Sequence, residues 1–297
     1  MDATDVSALL PLLLSDAGLP VGVEREPLRV WARSGVERLR FPGGASVVFK
    51  YAEAPFDTEH LALRLAARCG VPTPALHAAR TAPGLLGMLL EDLGDPIRDA
   101  SDKDGAHAAV HLHRVGETVP GMKRVDTEAL CVMPQRIAAR LRRLGLRSLL
   151  DHARVLETVA ASRASGADLP PFGLCHSEFH PTSLHIGQNG WHLLDFAHAF
   201  IGPGLLDLAS WHGTLQDPQP ARTLELIESY VAASGSPAAL STRGGLDPAS
   251  WALGWHRVWV VDWFIEQMQR GWARGAEQVW TTAISRHLSE ALTLLKA

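Results

Sequence analysis

The 297-residue chain is 46% hydrophobic and 20% charged, with a formal net charge of -4. That balance supplies a sizeable core and excludes a disordered chain, and the lack of a basic excess excludes a protein that grips nucleic acid by neutralising phosphates. Three widely separated cysteines, Cys69, Cys131 and Cys175, form neither a disulfide framework nor a zinc pattern and fit a reducing cytoplasm.

In chain order, the apolar run Ala8 to Leu14 is short, and Asp2 and Asp5 stand where an export signal is positive. It reads as an amphipathic segment that neither directs export nor crosses a membrane. Leu28 to Ala32 is strand-like. Arg33 to Phe41 and Ser46 to Tyr51 then flank the turn Pro42-Gly43-Gly44 and predict a hairpin that ends on Lys50. A helix follows, capped by Asp57 or Thr58, with Leu61, Leu65 and Cys69 on one face and Gly70 and Pro72 as its stop. Its first turn carries Glu59. Leu85 to Leu90 is a short apolar run read as a buried strand, followed by Glu91-Asp92-Leu93-Gly94.

From about residue 105 the periodicity is helical over Ala106 to Arg114, Arg136 to Leu146, Ser148 to Ser162, Ala221 to Ala233, and two stretches between Pro248 and Lys296. The exception is 172 to 195. There two short apolar arms enclose Asn189-Gly190, a hairpin signal. With Asn189-Gly190 as the two-residue turn, Gln188 pairs with Trp191 and Leu184 with Asp195, so Glu178, Ser183 and Asp195 converge on one end of the hairpin.

The order of motifs carries the chemistry. His176-Ser177-Glu178-Phe179-His180-Pro181-Thr182-Ser183 is followed, after the hairpin, by Leu194-Asp195-Phe196 and then Asp207-Leu208-Ala209. This resembles the aminoglycoside phosphotransferase and choline kinase group of small-molecule kinases, whose loop reads H-G-D-x-H-P-x-N, then I-D-[FW] and D-L-A. Val47 to Lys50, Gly70-Val71-Pro72-Thr73-Pro74, Leu90 to Gly94 and Ala109 to His113 are similar to further stretches of that group, so the likeness spans about 30 to 212.

The resemblance implies an α+β, protein-kinase-like bilobal fold. A small β-rich N-terminal lobe (1 to 93) would meet, through a hinge at 91 to 94, a larger helical C-terminal lobe (94 to 297). It implies a phosphotransferase that moves the γ-phosphate of ATP or GTP, with Mg2+, to a hydroxyl of a small molecule such as an antibiotic or related metabolite. Lys50 would steady the phosphates and Glu59 would hold Lys50, with Glu53 as competitor. The backbone of Glu91, Asp92 and Leu93 would take the purine, Asp195 and Ser183 the magnesium, and Glu178 the proton of the acceptor hydroxyl. Asp207 would brace the loop. A cytoplasmic monomer or homodimer is expected, without nucleic-acid or membrane partners.

Two positions depart from the group's pattern. Glu178 replaces aspartate, keeping a carboxylate one methylene farther out, and Ser183 replaces the metal-binding asparagine, keeping an oxygen on a shorter side chain. The competing expectation is a catalytically impaired pseudokinase that binds nucleotide or another ligand. The single glycine in Ser34-Gly35-Val36 makes the nucleotide loop the least recognisable part.

Other patterns have plainer readings. His176-x-Glu178-x-His180 lacks the glutamate directly after the first histidine that zincins need, and Pro181 argues against one continuous helix. His107 and His111, at i, i+4, read as a helix surface. The arginines at 136, 140, 142, 143 and 147 read as a solvated face. Trp251, Trp255, Trp259 and Trp263 form a stripe that packs a helix, and Trp259, with Asp262 and Glu266, is the candidate acceptor lining. The region is not markedly acidic, which points to an acceptor less basic than an aminoglycoside.

Overall fold

The computed structural model describes residues 3–31 and 33–297. Asp2, and Ala32 at the end of the first expected strand, lie outside the described residues. The chain divides into two units. One takes the chain up to Ala100 with Glu117–Met122 and Thr182–Ala199, and the other takes Ser101–Gly116, Lys123–Pro181 and Phe200–Ala297.

The first unit is built on an antiparallel five-stranded sheet of order β1-β2-β3-β5-β4: β1 (Glu24–Val30), β2 (Ser34–Arg40), β3 (Ser46–Glu53), β4 (Leu76–Ala82) and β5 (Leu85–Glu91). Alternation in β2 and β3 buries Leu39, Val47, Phe49 and Tyr51 on one face, where helix α1 (Ala3–Asp16) packs with Leu9, Leu10, Leu13 and Leu14. The expected amphipathic segment is thus the cover of the sheet's apolar side. Helix α2 (Glu59–Arg68) follows β3; Thr58 is its N-cap, but its side chain makes no capping hydrogen bond.

Two strands of this sheet depart from the sequence expectation. β4 is rich in alanine and has little intrinsic strand preference, so its pairing with β5 is a tertiary choice. β1 begins at Glu24, four residues before the expected strand, and accommodates Pro27 because it is an edge strand.

The hairpin β7 (Leu184–Gly187) and β8 (Gly190–Leu193) also belongs to this unit. Its register corrects the expectation. Gly187 pairs with Gly190 and Leu184 with Leu193, so the turn is Gln188-Asn189, one residue earlier than Asn189-Gly190. Gly190 alone of the turn region takes a positive φ, +120°, whereas the expected turn type needs positive φ at both central residues. The slip sets Ser183, whose carbonyl accepts the Leu194 N–H at 2.9 Å, one residue before Asp195.

The second unit is mainly helical: α3 (Asp102–His113), α4 (Thr127–Arg143), α5 (Leu150–Ala164), α6 (Leu205–Ser210), α7 (Pro220–Ala232), α8 (Pro248–Gln269) and α9 (Glu277–Leu295). α4 starts well before Arg136 because Asp126 caps it, accepting from the Ala129 N–H at 2.9 Å. A two-stranded ladder, β6 (Phe172–Cys175) with β9 (Phe200–Pro203), crosses this unit. On α8 the tryptophan stripe drifts from core to rim: Trp251 and Trp255 are fully buried and donate to the Arg163 carbonyl at 2.7 and 3.0 Å, while Trp259 and Trp263 are half-buried. None of the described helices is long and apolar enough to cross a membrane.

Candidate active site

The face of the sheet opposite α1 carries a cavity of about 530 Å³ within the first unit. Val36, Val48, Leu63, Leu90 and Leu194 give it apolar walls, and Arg29, Arg38, Lys50, Glu59, Asp92 and Asp195 are among the charged residues that line it. Alternation explains the selection, since Val48 and Lys50 are two positions apart in β3 and both point away from the α1 face.

Lys50 is the centre of the charged group. Its Nζ donates to Glu59 Oε1 at 2.7 Å and to Asp195 Oδ1 at 2.9 Å. Glu59 is buried and also accepts the Phe196 N–H at 3.1 Å, which ties α2 to the segment after β8. Glu53 goes elsewhere, to Arg33 at 2.9 Å. Burial alone would lower the Lys50 pKa, but Asp195 and Glu59 outweigh it and raise it, so the ammonium stays charged. Burial raises the Glu59 carboxyl against the pull of Lys50.

Asp195 sits at φ +64°, where the chain leaves the hairpin, with its side chain 45% exposed and lining the cavity. Ser183 lies half-buried next to it in register. Among the described residues, Glu59 Oε2 is a buried oxygen without a hydrogen-bond partner. These donors are hard oxygens, with no thiolate or imidazole among them, a set that fits Mg2+ or Ca2+ and not a soft metal.

At the end of β5, Glu91 is fastened to Ala75, donating its N–H to the Ala75 carbonyl at 2.8 Å and accepting the Ala75 N–H on its carboxylate at 3.1 Å. The Asp92 carboxylate accepts from Arg38 Nε at 2.7 Å, Ser46 Oγ at 2.7 Å and the Gly94 N–H at 3.0 Å. Burial raises its pKa, but these donors more than offset that and leave it lowered. Asp92 is therefore spent on shaping the segment. Leu93 also lines the cavity.

The loop His176–His180 belongs to the second unit, and Asp207 organises it. This fully buried carboxylate accepts the His176 N–H at 2.7 Å and the Ser177 N–H at 2.8 Å, and lies 3.3 Å from His113 Nε2. Ser210 Oγ donates to the Phe179 carbonyl at 2.8 Å. Ser177 is held at φ +72°, a conformation that favours glycine, and its Oγ is buried without a hydrogen-bond partner among the described residues. With Phe179 buried, Glu178 is left exposed on the loop. His113, Cys175 and Asp207 come close enough to suggest a metal cluster. Burial holds the Cys175 thiol well above its usual pKa, so it is protonated, and Asp207 is already engaged with the backbone.

The family model of the phosphotransferase enzyme family (APH) matches residues 29–245, a span that includes Lys50, the 176–183 loop, Asp195 and Asp207. The chain belongs to that family. No curated protein sequence matches it significantly. Solved structures share its fold at low identity. A choline/ethanolamine kinase family protein from Mesorhizobium loti aligns at TM-score 0.65 and 16% identity, covering 100% of this chain and 99% of that one. Macrolide 2'-phosphotransferase MphH from Brachybacterium faecium aligns at 0.59 and 16%, covering 96% and 98%. An amicoumacin kinase in complex with AMP-PNP, Ca2+ and Ami aligns at 0.60 and 12%, covering 98% and 94%. The fold is the protein-kinase-like one of small-molecule kinases, with its five-stranded sheet in the N-terminal region and its helices beyond.

The phosphotransferase's candidate acceptor residues are heavily engaged. The Asp262 carboxylate receives Arg136 Nε and Nη2 at 3.1 and 2.7 Å and Arg140 Nη1 at 2.7 Å. Glu266 lies 3.1 Å from Arg270 and 3.6 Å from Lys123. The expected solvated arginine face is corrected here for Arg136 and Arg140, whose one-turn spacing is what lets both reach one carboxylate. Trp259 stacks on Phe200 with ring centroids 6.0 Å apart, and Phe200 pairs with Cys175 at the entry to the 176–180 loop. Arg38, Ser46 and Ser210 were not singled out in the sequence, since nothing local marks their partners.

Proposed function

We propose that this phosphotransferase moves the γ-phosphate of ATP or GTP to a hydroxyl of a small molecule, an antibiotic or a related metabolite. The observation that carries the reading is Lys50 fixed between Glu59 and Asp195 in a cavity that also has apolar walls. Such a cavity suits a flat base, received by the backbone of Glu91, Asp92 and Leu93, with its phosphates toward Lys50. Asp195 and Ser183 would hold Mg2+, which when bound neutralises phosphate charge. The amicoumacin kinase, whose structure contains AMP-PNP and Ca2+, supports nucleotide and divalent-cation use.

In this reading Glu178 takes the proton of the acceptor hydroxyl, and Asp207 fixes the backbone from which Glu178 projects. Trp259 offers the acceptor a flat apolar face, while Asp262 and Glu266, matched by Arg136, Arg140, Arg270 and Lys123, hold no surplus negative charge for a polycation. Neutral hydroxylated compounds are therefore the first candidates. The setting is a cytoplasmic monomer or homodimer.

The test is transfer of label from γ-labelled ATP or GTP, with Mg2+, to a panel of hydroxylated antibiotics, choline and sugars. Asp195→Asn and Glu178→Gln should each abolish transfer. Full activity in both variants would remove these residues from the mechanism. Nucleotide binding without transfer to any acceptor would favour the pseudokinase reading that Glu178 and Ser183 raise.

A further inference from the structure

Alternation along β1 begins with Arg25 on the α1 side of the sheet, where its Nε donates to the buried Glu37 carboxylate at 2.6 Å and its guanidinium lies 6.0 Å from the Phe49 ring centroid. Glu26 pairs with Arg38, a cavity residue, and Pro27 pairs with Glu37. A strict period of two would send Arg29 to the α1 side with Arg25 and Pro27. The register shifts instead between Pro27 and Arg29, leaving Leu28 as the extra residue, and Arg29 pairs with Val36.

That bulge re-aims Arg29. Val36 in turn pairs with Lys50, so Arg29, Val36 and Lys50 form one cross-strand row. Residues directly opposed in an antiparallel ladder share a face, and this row faces the cavity that both Arg29 and Lys50 line. At about 4.8 Å per strand, their Cα atoms are roughly 10 Å apart, close enough for both side chains to reach one polyphosphate.

The remaining charges make Arg29 distinctive. Arg38 is answered by Asp92, and Lys50 by Glu59 and Asp195. Arg29 makes no ion pair among the described residues. Its guanidinium carbon lies 5.1 Å from the Trp31 ring centroid, a contact that orders the side chain without cancelling its charge. Nor can Gly35 serve as a phosphate-approach glycine. It pairs with Tyr51, and a Cβ there would lie 2.3 Å from that side chain, so its lack of a side chain serves packing on the α1 side.

We propose that Arg29 is a phosphate-binding residue, a second cation that the β1 bulge turns toward the polyphosphate of the nucleotide donor. This rests on the reading of the cavity as a nucleotide site. It supplies by side chain the anion contact that a glycine-rich turn makes by backbone.

The test is calorimetric titration of the full chain, at fixed Mg2+, with ATP and GTP and with adenosine and guanosine. Wild type, Arg29→Gln, Arg29→Lys and Lys50→Met are compared, with thermal melts as a check on folding. Arg29→Gln should weaken triphosphate binding roughly tenfold or more and leave the nucleoside within about twofold, with Arg29→Lys between it and wild type. Triphosphate affinity should also lose part of its salt dependence in Arg29→Gln. Equal losses for triphosphate and nucleoside would overturn the proposal, placing Arg29 on the base or in the fold. Unchanged affinity in Arg29→Gln, with Lys50→Met weakened, would overturn it while leaving the nucleotide site standing. Wild type that binds no nucleotide would remove both.

Discussion

Lys50 and Asp195 are 145 residues apart in the chain, yet Nζ and Oδ1 meet at 2.9 Å, and Glu59 Oε1 closes on the same ammonium at 2.7 Å. Lys50→Met leaves the buried Glu59 without its cation, which costs about 3 kcal/mol because a buried carboxylate loses its partner. Urea unfolding of Lys50→Met against Lys50→Arg checks this. The arginine variant, which keeps the charge, should recover a substantial part of the loss.

Asp207 accepts two consecutive backbone N–H groups of the 176–180 loop and is fully buried. Asp207→Ala orphans both donors, at about 2–4 kcal/mol of stability. If Asp207 only braces the loop, nucleotide affinity measured by titration stays within a few-fold of wild type while phosphoryl transfer falls steeply.

Ser177 occupies a left-handed conformation at φ +72° where the family's loop carries glycine, and its hydroxyl is buried without a hydrogen-bond partner among the described residues. Ser177→Gly relieves both penalties. The expected gain is about 1 kcal/mol, visible as a higher melting temperature. A drop would mean that the hydroxyl has a partner in solution.

Gly35→Ala drives a Cβ into the Tyr51 side chain and should destabilise the protein by about 1–3 kcal/mol. In a Tyr51→Leu background the same change should cost distinctly less. Equal costs in the two backgrounds, measured by chemical denaturation, would show that packing against Tyr51 is not what requires glycine here.

Acid should weaken the second unit through two buried histidines. Burial, then Arg257 and His287, lowers His256 to about 3; burial lowers His287 to about 4 despite its contact with Glu290. Both sit below the ordinary 6.5 of the unfolded chain, so their contribution is complete above that pH. It is lost as pH falls toward the folded values, because only the unfolded state takes up the protons. At pH 5 each histidine accounts for about 2 kcal/mol. Urea midpoints between pH 7 and 5 should fall less steeply in His256→Gln than in wild type.

The sequence carried much of the candidate site because its signals are local. The 176–183 loop, the Leu194-Asp195-Phe196 and Asp207-Leu208-Ala209 triplets and the strand ending on Lys50 are runs of a few residues whose order specifies a kinase-like chain. Helices such as α8, with Asp247 as cap and Pro248 in the first turn, announce themselves in the same way.

Partner choice was decided by tertiary structure. Periodicity assigns a side chain to a face, but it cannot foresee the Leu28 bulge that turns Arg29 over, the one-residue slip of the 184–193 hairpin or the pairing of alanine-rich β4. Nor does local sequence show that Glu59 and not Glu53 meets Lys50, or that Arg136 and Arg140 converge on Asp262 more than a hundred residues away. Amino-acid order within short windows determined the family to which this chain belongs. Long-range packing, which selects one among several locally acceptable pairings, determined which side chains meet.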